Sequence, residues 1–177
     1  MTKSVDQNFK ISAGIPESAL KTWLENALKK YGLYEGRAVN YTDADLAPIV
    51  MCTITCGDEI LLVKRGYGLA DAEGCWSTVN GFIDEVKPVS HIAMQELREE
   101  LGLDVAPEAI KVRESYALQN PKEKRIYIVF PCLVELGTKP KITLDREHTD
   151  YTWIRRAQLE SFHILDDLPY AIDSALG

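Results

Sequence analysis

The stretch Gly81-Phe-Ile-Asp-Glu-Val-Lys87-Pro-Val-Ser-His-Ile-Ala-Met-Gln95-Glu96-Leu97-Arg98-Glu99-Glu100-Leu101-Gly102-Leu103 decides the reading of this chain. Its second half has a helical period. At about 100° per residue, Ala93, Met94, Leu97 and Leu101 fall within one arc, as a stripe facing a core does. The pattern predicts a helix over 89–101, with Gly102 just past its end, where a left-handed backbone favours glycine. Glu96, Glu99 and Glu100 occupy a second face, because positions i, i+3 and i+4 are neighbours. Like charges so placed cost roughly 0.2–0.5 kcal/mol per pair, and a helix C-terminus disfavours them further. Arg98 lies too far round the helix to relieve them. A divalent cation would, since Mg²⁺ takes a few carboxylate oxygens, several waters and substrate phosphates. Taken alone, the same three residues also fit an ordinary solvated acidic face.

Working outward, two strand-like runs precede this stretch, at 48–56 and 59–64, and Gly57-Asp58 between them is short enough for a hairpin. A glycine-bearing loop at 66–74 and a strand at 76–83 lead into it. Beyond it come strands at 112–118 and 125–136, a polar turn at 120–124, a strand at 151–154, and short helices at 156–162 and 168–176. Strand and helix do not alternate regularly. The order therefore predicts an α/β fold with a mixed sheet and helices packed on it, not a doubly wound parallel sheet. Residues 1–14 read as a loose arm and 33–47 as a connecting loop.

Between them, 16–31 reads as an amphipathic helix, with Leu20, Trp23, Leu24, Ala27, Leu28 and Tyr31 in one stripe. Such a stripe faces the domain's own core or the same helix of a second copy in a homodimer. The domain organisation expected is an N-terminal arm and helix over 1–40, followed by the main domain over 41–177, within one compact unit.

Composition limits the function classes. With 177 residues, 46% of them hydrophobic and 27% charged, the chain can build a core without disulfides or a structural metal. The net charge of −7 argues against binding long nucleic acid, which needs a basic surface to displace counterions. Nucleotides remain open, because an acidic site can hold them through a cation. Cys52, Cys56, Cys75 and Cys132 include no CxxC pair, which disfavours a zinc ribbon. Cys52 and Cys56 read as small core hydrophobes, and reduced thiols fit a cytoplasmic location. No stretch approaches the ~20 apolar residues of a membrane span, and the N-terminus has no apolar leader core. His91, His148 and His163 do not form a metal-spaced set, and His148 reads as a surface residue. Tyr67, Tyr116 and Tyr127 are candidates to stack on a base, although packing is the better reading of each. Trp76 and Trp153 likewise read as packing residues.

The quoted stretch resembles the Nudix box, which runs Gly, five residues, Glu, seven residues, then Arg-Glu-aliphatic-any-Glu-Glu-any-Gly-aliphatic. Gly81, Glu96-Leu97, Glu99-Glu100 and Gly102-Leu103 stand at seven of the nine fixed positions, without insertion. The lead-in Gly74-Cys-Trp76 and the late segment Leu144-Asp-Arg-Glu147-His148 through Trp153-Ile154 are similar to the family as well. The resemblance implies a Nudix-like α/β/α sandwich with a mixed β-sheet, here with an extra N-terminal helix. It implies Mg²⁺- or Mn²⁺-dependent hydrolysis of a nucleoside diphosphate linked to another moiety, so the partner would be a small nucleotide-like diphosphate. By the same resemblance Glu99 and Glu100 are metal ligands, Glu96 is a ligand or base, and Glu147 is an additional ligand or base. Lys64, Arg65, Gly81 and Lys87 are the candidate substrate-binding residues.

The chain departs from the box at two positions. Lys87 stands where the first Glu belongs and Gln95 where the Arg belongs. Asp84 or Glu85 is the candidate replacement for the missing carboxylate. The alternative to an active hydrolase is a non-catalytic nucleotide-binding module of the same fold.

Overall fold

The structure is a computed structural model and describes residues 10–34, 36, 38–66, 72–119 and 124–177. Strand β1 (Lys10–Ala13) leads into helix α1 (Glu17–Tyr31) and a small hairpin of β2 (Leu33–Tyr34) and β3 (Ala38–Val39). Then come β4 (Leu46–Cys56), β5 (Glu59–Arg65), β6 (Trp76–Ser77), β7 (Val79–Phe82) and helix α2 (Val89–Leu101). A 3₁₀ turn at Pro107–Ala109 precedes β8 (Ile110–Val112), β9 (Tyr116–Gln119), β10 (Ile126–Leu136) and β11 (His148–Arg155). A second 3₁₀ segment, Arg156–Ser161, and helix α3 (Leu168–Leu176) follow.

The spine of the sheet is the parallel pair β4 and β10, in register from Leu46 with Ile126 to Cys56 with Leu136. The path across the sheet is β1-β9-β10-β4-β5-β11, with β6 on β5, β7 on β4 and β8 on β10. Among the described residues the other strand pairs of this sheet are antiparallel, so the sheet is mixed. Both faces are covered, which explains the near-continuous apolar runs in β4 and β5, since successive side chains point to opposite faces. Val50, Cys52, Ile54, Leu61 and Val63 pack with Leu24 of α1 and with Leu97 and Leu101 of α2. Met51, Ile60 and Leu62 point the other way and pack with Leu159, Leu168 and Ile172 around α3. This is the α/β/α sandwich expected. Among the described residues no helix is long and apolar enough to cross a membrane.

Helix α2 has the bounds that its periodicity predicted, and the stripe of α1 packs onto the chain's own core through Leu20, Leu24 and Ala27. Several expectations need correction. Lys10–Ala13 is not part of a loose arm: it pairs with β9, Lys10 with Gln119 through to Ala13 with Tyr116. All four residues are exposed, so backbone pairing alone holds them and no apolar alternation announces the strand. The expected loop at 33–47 contains the β2–β3 hairpin. The strand expected at 76–83 breaks at Thr78, because β6 bonds to β5 and β7 bonds to β4. The strand expected at 112–118 is interrupted at 113–115, and its two parts, β8 and β9, pair with β10 in registers offset by one residue. Cys56 is half-buried, not core. Tyr67 and most of the 120–124 turn lie outside the described residues.

Candidate active site

Helix α2 carries the three glutamates, and its placement follows from its two ends and its buried face. Pro88 precedes it and offers no side-chain acceptor; the Glu17 Oε1 of α1 accepts from the first N–H, that of Val89, at 3.0 Å. At the other end Gly102 takes φ +65°, and its N–H closes on the Arg98 carbonyl at 3.0 Å. Ala93, Leu97 and Leu101 are fully buried. Glu100 flanks that stripe and is only 5% exposed, Glu96 is half-buried, and Glu99 stays at the surface. The helical face shared by all three is thus divided by depth, and Glu96 and Glu100 form its inner i, i+4 pair.

Gly81 is where strand β7 meets that pair. A Cβ added there would lie 2.2 Å from Glu96 Cδ and 2.4 and 2.6 Å from its two carboxylate oxygens. The Glu96 carboxylate rests on the bare Cα of β7, and any side chain at position 81 would occupy its place.

Burial, followed by the charges of Glu99, Asp84 and Glu147, pushes the Glu96 carboxyl up to about 7. Burial and then the charges of Glu96, Asp145 and Glu147 push Glu100 to about 9, with Arg65 acting in the opposite sense. Glu100 Oε2 is buried without a hydrogen-bond partner. His148 Nε2 lies 3.6 Å from that oxygen, and His148 Nδ1 lies 3.2 Å from Asp145 Oδ1. The reading of His148 as a surface residue is therefore corrected: it is 8% exposed. The register of β11 against β5 shifts between His148 and Asp150, and such a bulge re-aims a side chain. Glu147 itself is exposed, and its carbonyl accepts from the Gly66 N–H at 2.7 Å, which fixes the segment against the end of β5.

The basic candidates separate. Arg65 follows Leu61 and Val63 at alternate positions, so it shares the face of the sheet that α2 covers. Its Nε is buried with no hydrogen-bond partner. Lys64 points to the opposite face, with Nζ 5.9 Å from the ring centroid of Trp76, and is not brought together with the glutamates. Lys87 pairs with Glu85 at 2.7 Å and donates to Gln95 Oε1 at 3.1 Å. Glu85 is thereby neutralised locally. Asp84 is half-buried; burial raises its carboxyl, and its charge reaches Glu96.

Among the described residues no group of three His, Cys, Asp or Glu side chains stands ready as a metal cage. A divalent cation fits the pair Glu96 and Glu100 nonetheless. Mg²⁺ commonly takes one or two carboxylates and completes its shell with water and substrate phosphate. A Glu100 carboxyl with one buried oxygen lacking a hydrogen bond, and within reach of the charge of Glu96, is the donor set such an ion would relieve.

The NUDIX domain model matches residues 45–171. The chain belongs to the Nudix family. Curated relatives of this Nudix domain include the NAD-capped RNA hydrolase NudC of Stutzerimonas stutzeri (strain A1501), 34% identical over 62 residues, which are 35% of this chain and 21% of that protein. The NudC of Pseudomonas aeruginosa (strain LESB58) is 34% identical over 61 residues, 34% of this chain and 21% of that protein. The chain thus spans about a fifth of the length of the curated relatives it matches. Among solved structures, the MutT NUDIX hydrolase of Burkholderia pseudomallei aligns with a TM-score of 0.63 at 18% identity, covering 73% of this chain and 97% of that one. The NUDIX domain of Shewanella oneidensis NrtR, solved with ADP-ribose, aligns with a TM-score of 0.62 at 15% identity, covering 73% and 85%. At these identities the likeness is one of fold.

Three residues that bear on the site of this Nudix domain escaped the sequence reading. Asp145 and His148 gave only an i, i+3 spacing in a polar stretch. Glu17 gave no signal at all, because its partner lies 72 positions along the chain.

Proposed function

We propose that this Nudix domain is a metal-dependent hydrolase that cleaves the diphosphate linkage of a nucleoside diphosphate joined to another moiety. The observation that carries the reading is the buried Oε2 of Glu100, which has no hydrogen-bond partner, on a carboxyl whose charge reaches Glu96, itself lying on Gly81. Glu96 and Glu100 would hold Mg²⁺ or Mn²⁺, with the exposed Glu99 completing the set towards solvent. The cation, when bound, supplies charge neutralisation at the phosphates and a more acidic water. Arg65, with a buried donor free, receives a phosphate oxygen; guanidinium donors suit that geometry.

In the reaction a water oxygen forms the new bond to phosphorus while the bridging P–O bond breaks. The water's proton passes to a carboxylate, for which Glu147 is suited: it is exposed at the mouth and its charge reaches both buried glutamates. The bridging oxygen leaves with its phosphate. Four free thiols fit a reducing compartment, and we place the reaction in the cytoplasm.

The test is release of a phosphorylated product from ADP-ribose, NAD and dinucleoside polyphosphates with Mg²⁺ and with Mn²⁺. Activity with either metal, abolished in Glu96→Gln with Glu100→Gln, supports the reading. A non-catalytic nucleotide-binding module is the second reading, and the Lys87–Gln95 contact at the two altered box positions favours it. It is established if no substrate turns over with either metal while a nucleotide still raises the melting temperature.

A further inference from the structure

The lead-in loop from Ile83 to Val89 separates Gly81 from α2 and carries Asp84 and Lys87. Its backbone is held from outside the family match. The Tyr41 hydroxyl donates to the Ile83 carbonyl at 2.7 Å in a buried contact, and the Val39 N–H donates to the Asp84 carbonyl at 2.8 Å. The third bond is that from the Val89 N–H to Glu17 Oε1. Tyr41 is itself clamped. Its ring lies 6.3 Å from Trp23 of α1 and 5.5 Å from Phe82, the neighbour of Gly81. Arg125 donates to the carbonyls of Tyr41 and Ala44 at 2.5 and 3.0 Å and closes the turn behind it.

We propose that helix α1 together with Val39 and Tyr41 is a positioning element of the site, which sets where Gly81 and the start of α2 stand against Glu96 through Tyr41, Val39 and Glu17. The Glu96 carboxyl lies directly against Gly81, since an added carbon there would lie 2.2 Å from its carboxyl carbon. A small shift of the loop therefore changes the direction of the Glu96 oxygens. The loop is tied to the N-terminal segment at both ends, at Ile83 and Asp84 and again at Val89, and that segment packs on the core through Leu20, Leu24 and Ala27. Tyr41 and Glu17 act through the loop and touch no reacting atom.

This inference rests on the proposal that Glu96 and Glu100 hold a divalent cation, and its test reads the cation directly. Tyr41→Phe removes one hydroxyl, Glu17→Ala removes the acceptor, and Glu17→Gln restores an acceptor. The whole chain is titrated with Mn²⁺, following free Mn²⁺ by electron paramagnetic resonance, with melting temperature and steady-state kinetics on ADP-ribose measured beside it. Outer partners that orient metal ligands commonly change affinity by about 10–100-fold. These residues act one step further out, so Tyr41→Phe and Glu17→Ala should weaken Mn²⁺ binding by roughly threefold to tenfold, with Glu17→Gln within about twofold of the parent. Turnover, where present, should fall in kcat with KM little moved. Variants that melt lower yet bind Mn²⁺ as the parent does would overturn the inference and leave the hydrolase reading standing. If Tyr41→Phe does not fold, the contrast between Glu17→Ala and Glu17→Gln decides. A parent that binds Mn²⁺ without turning over any substrate sinks the hydrolase reading, while the affinity shifts still support the inference. A parent that binds no Mn²⁺ removes both.

Discussion

Lys87 Nζ donates to Gln95 Oε1 at 3.1 Å, so the two positions at which this chain departs from the Nudix box touch one another. In the box these positions hold Glu and Arg, a complementary pair. Here they hold a cation and a neutral acceptor in contact, with Glu85 supplying the negative charge at 2.7 Å. The two replacements are one structural change. Each single reversal should therefore be worse than both together. Lys87→Glu alone sets a carboxylate beside Glu85, and Gln95→Arg alone sets two cations together. A double-mutant cycle by urea unfolding should show the two reversals coupling favourably by about 0.5–1 kcal/mol, modest because Lys87 is solvent-exposed. Additive effects would mean that the contact has no energetic weight.

The raised carboxyls predict how stability varies with pH. Glu96 at about 7 and Glu100 at about 9 both lie above the ordinary carboxylate value of 4.5 in the unfolded chain. For an acid raised on folding, the protonated form is favoured in the fold, so the stability it contributes is full at low pH and falls as pH rises through the folded value. In chelator, Glu100→Gln, which imitates the protonated acid, should match the parent near pH 5 and exceed it near pH 9. Urea midpoints at the two pH values check this, and a parent equal to the variant at pH 9 would refute it. Mn²⁺ should reverse the order at high pH, because ligand carboxylates bind the ion deprotonated.

Gly81→Ala separates folding from site geometry. The new methyl would meet the far end of the Glu96 side chain, which can rotate away, so the melting temperature should change little. The displaced carboxylate should weaken Mn²⁺ binding, and turnover should fall by on the order of 100-fold, as misplacements of about 1 Å can cause. Unchanged Mn²⁺ affinity would show that Glu96 is not a ligand.

Arg65→Met tests the free buried donor. Its charge lowers the Glu100 carboxyl, and its Nε has no partner in the protein. If it receives a substrate phosphate, KM should rise by roughly tenfold, the weight of one charge-assisted hydrogen bond of about 1.5 kcal/mol. Lys64→Met, on the opposite face over Trp76, should leave KM near the parent value.

How much of this was legible beforehand depends on the reach of each interaction. Helix α2 was readable residue by residue because its determinants are local: a stripe at helical spacing and Gly102 after it. The two central strands were readable for a similar reason, since burial of both faces leaves an unbroken apolar run. The carboxylates of the box, with Gly81, were legible through family likeness. What they do to one another was not. Spacing alone puts Glu96, Glu99 and Glu100 on one face, whereas packing sinks Glu100, half-buries Glu96 and leaves Glu99 in water.

The remainder belongs to contacts between distant parts of the chain. Lys10–Ala13 is a strand only because β9 offers its edge. His148 is buried because a register shift in β11 places it between Asp145 and Glu100. Arg65 and not Lys64 faces the acids because of which side of the sheet α2 covers. Sequence by itself determined the periodic elements, the acidic helix and the two altered box positions, all of them encoded within a few turns or strands of chain. Only the tertiary structure decided that Lys87 answers Gln95, that Glu96 lies on Gly81, and that Glu17 and Tyr41 hold the loop between them. Those contacts depend on how elements tens of residues apart pack, and no local pattern records that.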